Sequence, residues 1–225
     1  MNPPATEATI AAGAFGAWLE EARESLHDNR GSNVPCGDCV GCCVSSYFIP
    51  IRPEDRDALD LIPAKYLVNA PDEARGQWLM GYREDGTCPM LSDNKCTIYA
   101  KRPQTCRDYD CRVFAAAGID AGGDDKIVIN RRVHAWRFTY PSAADVAAHA
   151  AVKAAAAFIS TRRDSFPGGR APTAPTGIAV LALKVYPVFM DPAVSGKTDT
   201  DIALAVIAAS RAFDSRPRDS AGPGS

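Results

Sequence analysis

The sequence predicts an α+β fold in which a cysteine-rich module of short strands and turns is packed with an N-terminal helix and a C-terminal helical region. Three observations carry that expectation. All eight cysteines lie between Cys36 and Cys111, and the alanine-rich stretch that follows has none. Within the cysteine-bearing stretch the apolar runs are short and separated by Gly, Pro, Asn and Asp, so a bound ion has to supply the cohesion that a small core cannot. The module is therefore expected to be metal-stapled. On either side of it, apolar residues recur at three- and four-residue steps, the period of a helix with one buried face.

Taken in order, Thr6 to about Asn29 reads as an amphipathic helix, with Phe15, Trp18, Leu19, Ala22 and Leu26 on one face and Glu20, Glu21, Arg23 and Glu24 elsewhere. Arg30 to Asn33 ends it. Tyr47 to Ile51 is strand-like, and Pro53-Glu54-Asp55 starts a short helix, with proline and acids suited to a first turn. Gln77 to Arg83 reads as a strand, Glu84-Asp85-Gly86 as a turn and Thr87 to Leu91 as the returning strand. Ser92 to Lys95 is a further turn, and Cys96 to Arg107 reads as one or two short helical turns. Lys126 to Phe138 is expected to be a strand or two. Ser142 with Asp145 resembles a capping box opening a helix to about Arg163. Phe166 to Gly177 is a loop, and Gly177 to Tyr186, apolar on nearly all sides, is a buried segment read as helix. Thr200 to Ala212 is a last helix. The corresponding organisation is an N-terminal helix over 1–30, a cysteine-cluster metal-binding module over 31–115, a mainly helical region over 116–215 and a disordered tail over 216–225.

Composition bounds the function. In 225 residues, 25 Lys and Arg face 27 Asp and Glu for a net charge of −2, so a strongly basic nucleic-acid binder is not expected. No apolar run reaches the ~20 residues that cross a bilayer, since Gly177 to Met190 is interrupted by Lys184 and Pro187. The opening MNPPATEATI lacks a basic stretch followed by an apolar one, so the expected location is cytoplasmic. Disulfides do not persist there, and clustered thiols then point to metal ligation or redox chemistry. The expected partner is a metal ion or cluster, with room for a protein partner and none for nucleic acid or membrane.

The cysteines carry the chemistry. Cys36-x2-Cys39-x2-Cys42 places three sulfurs on one tight loop, where Gly37 and Gly41 let the backbone turn. Zinc sites more often show one such pair and a distant second pair. Three cysteines at successive two-residue spacings with a remote Cys-Pro, here Cys88-Pro89, follow the ferredoxin pattern for a [4Fe–4S] cluster. Cys36, Cys39, Cys42 and Cys88 then form one set, and Cys43, Cys96, Cys106 and Cys111 are left for a second. In that scheme the Cys43 side chain points away from Cys42. A single site, with Cys43 as a small buried hydrophobe, is the alternative, and zinc and iron–sulfur both stay open.

Four thiolates leave either centre at net −2, so Arg102, Arg107 and Arg112 are candidates to balance it, unless they pair with Asp108 and Asp110. Pro103 aims Cys106, and Tyr99 packs beneath the site. His134 is a candidate substitute ligand, His27 near a helix end reads as a dipole-stabilised surface residue, and His149 among alanines reads as structural. Arg131, Arg132 and Arg137 read as a solvated strand face. No phosphate cradle, nucleophile elbow or zincin motif occurs, so no catalytic residue is assigned.

Cys36-x2-Cys39-x2-Cys42-Cys43, Cys88-Pro89-Met90-Leu91 and Cys96-Thr97-Ile98-Tyr99-x2-Arg102-Pro103-x2-Cys106-Arg107-x3-Cys111 together resemble the YkgJ-type cysteine-cluster proteins over residues 34 to 112. That family is described as zinc- or iron-chelating, and the resemblance implies a metal-binding protein with an accessory or redox role. A similar cluster occurs in flagellin lysine methylases, which implies, as an alternative, group transfer supported by the cluster. A structural zinc module for protein contacts is the third reading.

Overall fold

Ala148, Ala151, Val152, Ala155, Ala156 and Ile159 recur at i, i+3, i+4, i+7, i+8 and i+11, and all six are buried along one stripe of a single helix. The computed structural model that shows this describes residues 9–70 and 78–217. The start of the expected first helix, Gln77 and most of the expected tail lie outside the described residues.

The chain divides into two units. The first comprises residues 9–28, 111–122 and 133–217 of the described chain. Strand β1 (Ile10–Ala14) leads straight into α1 (Phe15–Asp28), and β1 pairs in parallel with β7 (Trp136–Thr139). The helix expected from Thr6 therefore begins only at Phe15. Gly13, at φ +95°, adopts a conformation a helix cannot use, and the strand register shifts between Ala11 and Gly13. Phe15 is fully buried, with its ring 5.1 Å from Phe138 and 4.3 Å from His149.

The other helices of this unit are α4 (Arg112–Ala117), α6 (Ala143–Thr161), α7 (Pro175–Met190) and α8 (Asp199–Asp214). Ser142 and Asp145 form the anticipated capping box, each accepting from the other's main-chain N–H. By length and composition α6 could cross a membrane. Here its alanine stripe packs against α1, α4 and, most extensively, α7. Small side chains let these backbones approach closely. The apolar 177–186 segment is helical as expected, and the helix continues past Pro187. Proline cannot donate to the carbonyl four residues back. Arg23 Nη1 donates to that Leu183 carbonyl instead, and to the Lys184 carbonyl at 2.9 Å.

The second unit comprises residues 29–110, apart from 71–77, and 123–132. Strands β2 (Ile49–Ile51), β3 (Leu67–Asn69) and β4 (Trp78–Met80) form an antiparallel sheet in the order β2-β4-β3. The expected hairpin between 77–83 and 87–91 does not form, because β4 is the central strand and spends both edges on β2 and β3. The 84–86 turn is present, and Leu91 opens a separate two-residue ladder of β5 (Leu91–Ser92) with β6 (Lys95–Cys96). Helices α2 (Arg56–Leu61) and α3 (Gln104–Asp108) complete the frame. Ile51, Ala58, Ile62, Met80, Met90 and Ile98 make the core, with Cys88 and Cys96 packed against its rim.

The expected strand at 126–138 is helix α5 (Ile127–Ala135) followed by β7. β-branched Ile127, Val128, Ile129 and Val133 suggest a strand, but only Ile129 and Val133 are buried, one helical turn apart. The fold is α+β.

Candidate metal centre

The Cys36–Cys43 loop is built from short local turns. The Cys36 N–H donates to the Val34 carbonyl at 2.7 Å, Cys39 to the Cys36 carbonyl at 3.0 Å and Cys43 to the Val40 carbonyl at 2.8 Å. Gly37 takes φ +55°, which favours glycine, and Gly41 opens the single helical turn Gly41–Val44. That tight turn brings Cys42 Sγ within 3.9 Å of Cys43 Sγ. The Cys43 side chain therefore lies beside Cys42 rather than pointing away from it.

The second cysteine segment is zipped onto the first by the main chain. The Ser46 N–H donates to the Gly86 carbonyl at 3.1 Å, and Cys88 donates to the Cys43 carbonyl at 2.6 Å. Gly86 is at φ +81°, and a Cβ there would meet Ser46 Oγ at 2.5 Å. Only glycine lets the two segments come so close. Cys88 thus joins Cys43, whose thiol is hydrogen-bonded with those of Cys42 and Cys88.

The main chain also acts on the sulfurs. Gly41 donates to Cys39 Sγ at 3.4 Å, while the main chain at Met90 and Leu91 beside Cys88, and at Ile98 beside Cys96, favours the thiolate form of those cysteines.

The sulfurs sense one another. The Cys43 thiol, the Met90 and Leu91 amides and the Arg83 charge bring Cys88 down to about 7, against the pull of burial. The same Cys43 thiol holds Cys42 below the ordinary cysteine range, while Cys43, bonded with Cys42 and Cys88 and partly buried, is pushed far up. Cys106 is pushed up to about 12, first by burial and then by Cys42, Cys88 and Cys96 around it. Burial also raises Cys36 and Cys96, helped by Cys42 and Cys39 at the first and by Cys88 and Cys42 at the second. Seven cysteines thus belong to one unit and crowd one region of it. The eighth, Cys111, belongs to the other unit, where it is buried and accepts from Trp136 Nε1 at 3.2 Å. Among the described residues, no three Cys, His, Asp or Glu side chains converge closely enough to grip an ion without rotation.

Residues 35–126 match the CxxCxxCC family, described as a "putative zinc- or iron-chelating domain". No curated protein and no solved structure matches the chain.

Around the sulfurs of the matched region, the arginines divide their work. The charge of Arg102 lies near Cys96 and Cys106, while its guanidinium donates to the Tyr99 carbonyl at 2.8 Å and covers the Tyr99 ring at 4.0 Å. Tyr99, expected beneath the site, is 64% exposed. It can turn outward because Ile98 fills the core beside it. Arg107 braces the chain by donating to the Arg102 carbonyl at 3.1 Å. Arg112 belongs to the other unit, where it donates to the Ala12 carbonyl at 3.3 Å and lies over Trp18. Of the acids, Asp108 pairs with Arg52 at 2.7 Å. Pro103 is fully buried at the start of α3, and its carbonyl accepts from the Cys106 N–H at 2.9 Å.

His134 is not drawn toward sulfur, since Asp120 holds its Nε2 at 2.6 Å on the surface of the other unit. His27 pairs with Asp28 at 2.6 Å in the last turn of α1, and His149 is buried, so both are structural.

Two groups of residues went unseen in the sequence. Arg83 donates to Thr87 Oγ1 at 3.2 Å, to the Pro89 carbonyl at 2.8 Å and to the Leu91 carbonyl at 3.0 Å, so it ties the Cys88 turn together. Lys126, Ile129 and Arg132 back the first cysteine loop. Helical spacing of these three was the available signal, and reading the segment as a strand scattered them over two faces.

Proposed function

We propose that the CxxCxxCC domain holds its metal in a single all-thiolate centre. Cys42, Cys43 and Cys88 stand at its middle, with Cys36, Cys39, Cys96 and Cys106 around them. We further propose that the group is an iron–sulfur cluster in an accessory or electron-transfer role, with zinc as the alternative occupant. The observation that carries this reading is the gathering of seven thiols in one unit, with Cys42 Sγ 3.9 Å from Cys43 Sγ and the Gly41 N–H donating to Cys39 Sγ at 3.4 Å. Such donors stabilise thiolate charge and, around a cluster, set its potential.

The donor chemistry fits. A soft set of thiolates, with no histidine joined to it, suits zinc or iron–sulfur over harder ions. When bound, the group supplies electron storage or plain cohesion. The chain supplies the rest: Cys88 offers a thiolate near neutral pH, Cys43 releases the proton it shares with Cys42 and Cys88, and Arg83 keeps the Cys88 turn closed. Thiolate ligation needs a reducing setting, and we place the protein in the cytoplasm.

Anaerobic purification followed by iron, sulfide and zinc analysis tests the reading. Iron and sulfide together, with a visible charge-transfer absorbance that bleaches on reduction, are expected. Zinc in a colourless, redox-silent protein would select the structural alternative. A protein that retains neither, and takes up neither on reconstitution, refutes metal binding.

A further inference from the structure

The Cys36–Cys43 loop has few restraints of its own. Cys36 and Cys42 are exposed, and the bonds within the loop are local turns that any neighbouring strain can open. What restrains it from behind is a distant segment of the same unit, the turn Asp124–Lys126 and the first residues of α5. Lys126 is buried and donates from Nζ to the Ser45 carbonyl, just past the loop's end. Ile129 presses on the middle, where a Cβ added to Gly41 would come within 3.3 Å of Ile129 Cγ1. Arg132 Nη2 takes the other end, donating to the Pro35 carbonyl at 2.9 Å and the Cys36 carbonyl at 3.1 Å. The three contacts fall three residues apart, on one face of a continuous helical stretch.

We propose that this face is the positioning element of the metal-binding loop, and that Arg132 is its decisive positioning residue. The inference rests on the reading that the loop carries thiolate ligands. Arg132 acts through the main chain: it fixes the carbonyls on either side of the Pro35–Cys36 bond and so fixes the direction in which Cys36 enters the loop. It also places a cation beside the negative charge that metal loading creates. Lys126, whose ammonium is also paired with Asp125 at 2.6 Å, fixes the Ser45 carbonyl at the far end, and Ile129 backs the middle at Gly41. An unclamped loop must be ordered when it binds metal, and that cost appears as lost affinity.

The test uses the full chain under anaerobic conditions. Cobalt(II) is titrated in competition with a chelator and read by its thiolate charge-transfer absorbance. Hydrogen exchange of residues 34–45 is measured in the metal-free protein. Arg132→Gln is expected to weaken cobalt binding by about tenfold, the value of roughly one good hydrogen bond to a charged group. Its saturated spectrum should match wild type, because the ligands are the same, and its Cys39 and Cys43 amides should exchange faster. Arg132→Lys keeps the charge with a different reach and should fall between the two. Arg131→Gln removes the same charge from the adjacent exposed position and should match wild type. Equal affinity and equal exchange in the Arg132 and Arg131 variants overturn the proposal. If Arg132→Gln does not fold, Arg132→Lys is read against Arg131→Lys by the same two criteria. If wild type itself develops no charge-transfer band, metal binding fails, and exchange alone decides: faster exchange in the Arg132 variant upholds the clamp, and unchanged exchange ends it.

Discussion

Acid should destabilise the helical unit through one buried ring. His149 lies on the packed stripe of α6, 7% exposed, stacked 4.3 Å from Phe15 and flanked by Tyr140 and Phe138. Its Nδ1 pairs with the Tyr140 hydroxyl at 2.7 Å. Its Nε2 is buried near the Ala115 and Ala116 carbonyls at the end of α4, without reaching hydrogen-bond geometry. Burial, with Lys153 one turn along adding its charge, brings the imidazole down from 6.5 to about 4. As pH falls below 6.5 the unfolded chain takes up the proton first, so the stability that neutral His149 contributes is complete above that pH. It is lost progressively toward pH 4. At about 1.36 kcal/mol for each tenfold difference in proton affinity, the full loss is about 3 kcal/mol, and about 2 kcal/mol of it falls between pH 7 and pH 5. Urea unfolding followed by helical circular dichroism, for wild type and His149→Gln at both pH values, measures this difference. Wild type should lose about 2 kcal/mol more than the variant, and the His149 ring proton should show no NMR titration between pH 8 and pH 5. A ring that titrates near 6.5, or equal losses in the two proteins, would refute the reasoning.

Cys42→Ala and Cys43→Ala should abolish the same centre, because their sulfurs sit 3.9 Å apart around Cys88. A Cys43→Ala protein that keeps about half the metal, as two sites of four thiolates each would require, contradicts that outcome in a simple metal-to-protein ratio. In metal-free protein at pH 8, iodoacetamide should modify Cys88, whose thiol is brought down to about 7, well before Cys106, which is pushed up to about 12. Peptide mapping reads the order, and bound metal should protect Cys88. Arg83→Gln opens three hydrogen bonds around the Cys88 turn. It should weaken metal binding by roughly tenfold with little change in the thermal unfolding of the helical unit. Stripping metal with a strong chelator under reducing conditions should remove amide protection from residues 36–110 while the helices beyond Ser142 keep theirs.

The sequence by itself determined the elements whose cause is local. The Ser142–Asp145 capping box, the helices at 143–161 and 199–214 and the 84–86 turn all follow from neighbouring residues. So does the chemistry of the site. Thiols at two-residue spacing with a remote Cys-Pro point to metal chelation, and the match over 35–126 to a zinc- or iron-chelating domain agrees.

Only the tertiary structure decided what each residue faces. Gly13, at φ +95° inside β1, keeps that stretch extended, so α1 begins only at Phe15, which is fully buried. Strand β4 cannot form the expected hairpin once β2 and β3 have taken its hydrogen bonds. β-Branched residues at 127–133 enter a helix because the buried positions, Lys126, Ile129 and Val133, recur at helical rather than alternate spacing. Propensity differs by less than ~1 kcal/mol per residue between these states, so burial of a few side chains outweighs it. The same holds for the centre. Which cysteines lie near one another, and that Lys126 and Arg132 hold the ends of the Cys36–Cys43 loop, depends on segments separated by as many as 97 residues. Their approach is set by packing, and packing is a property of the folded chain.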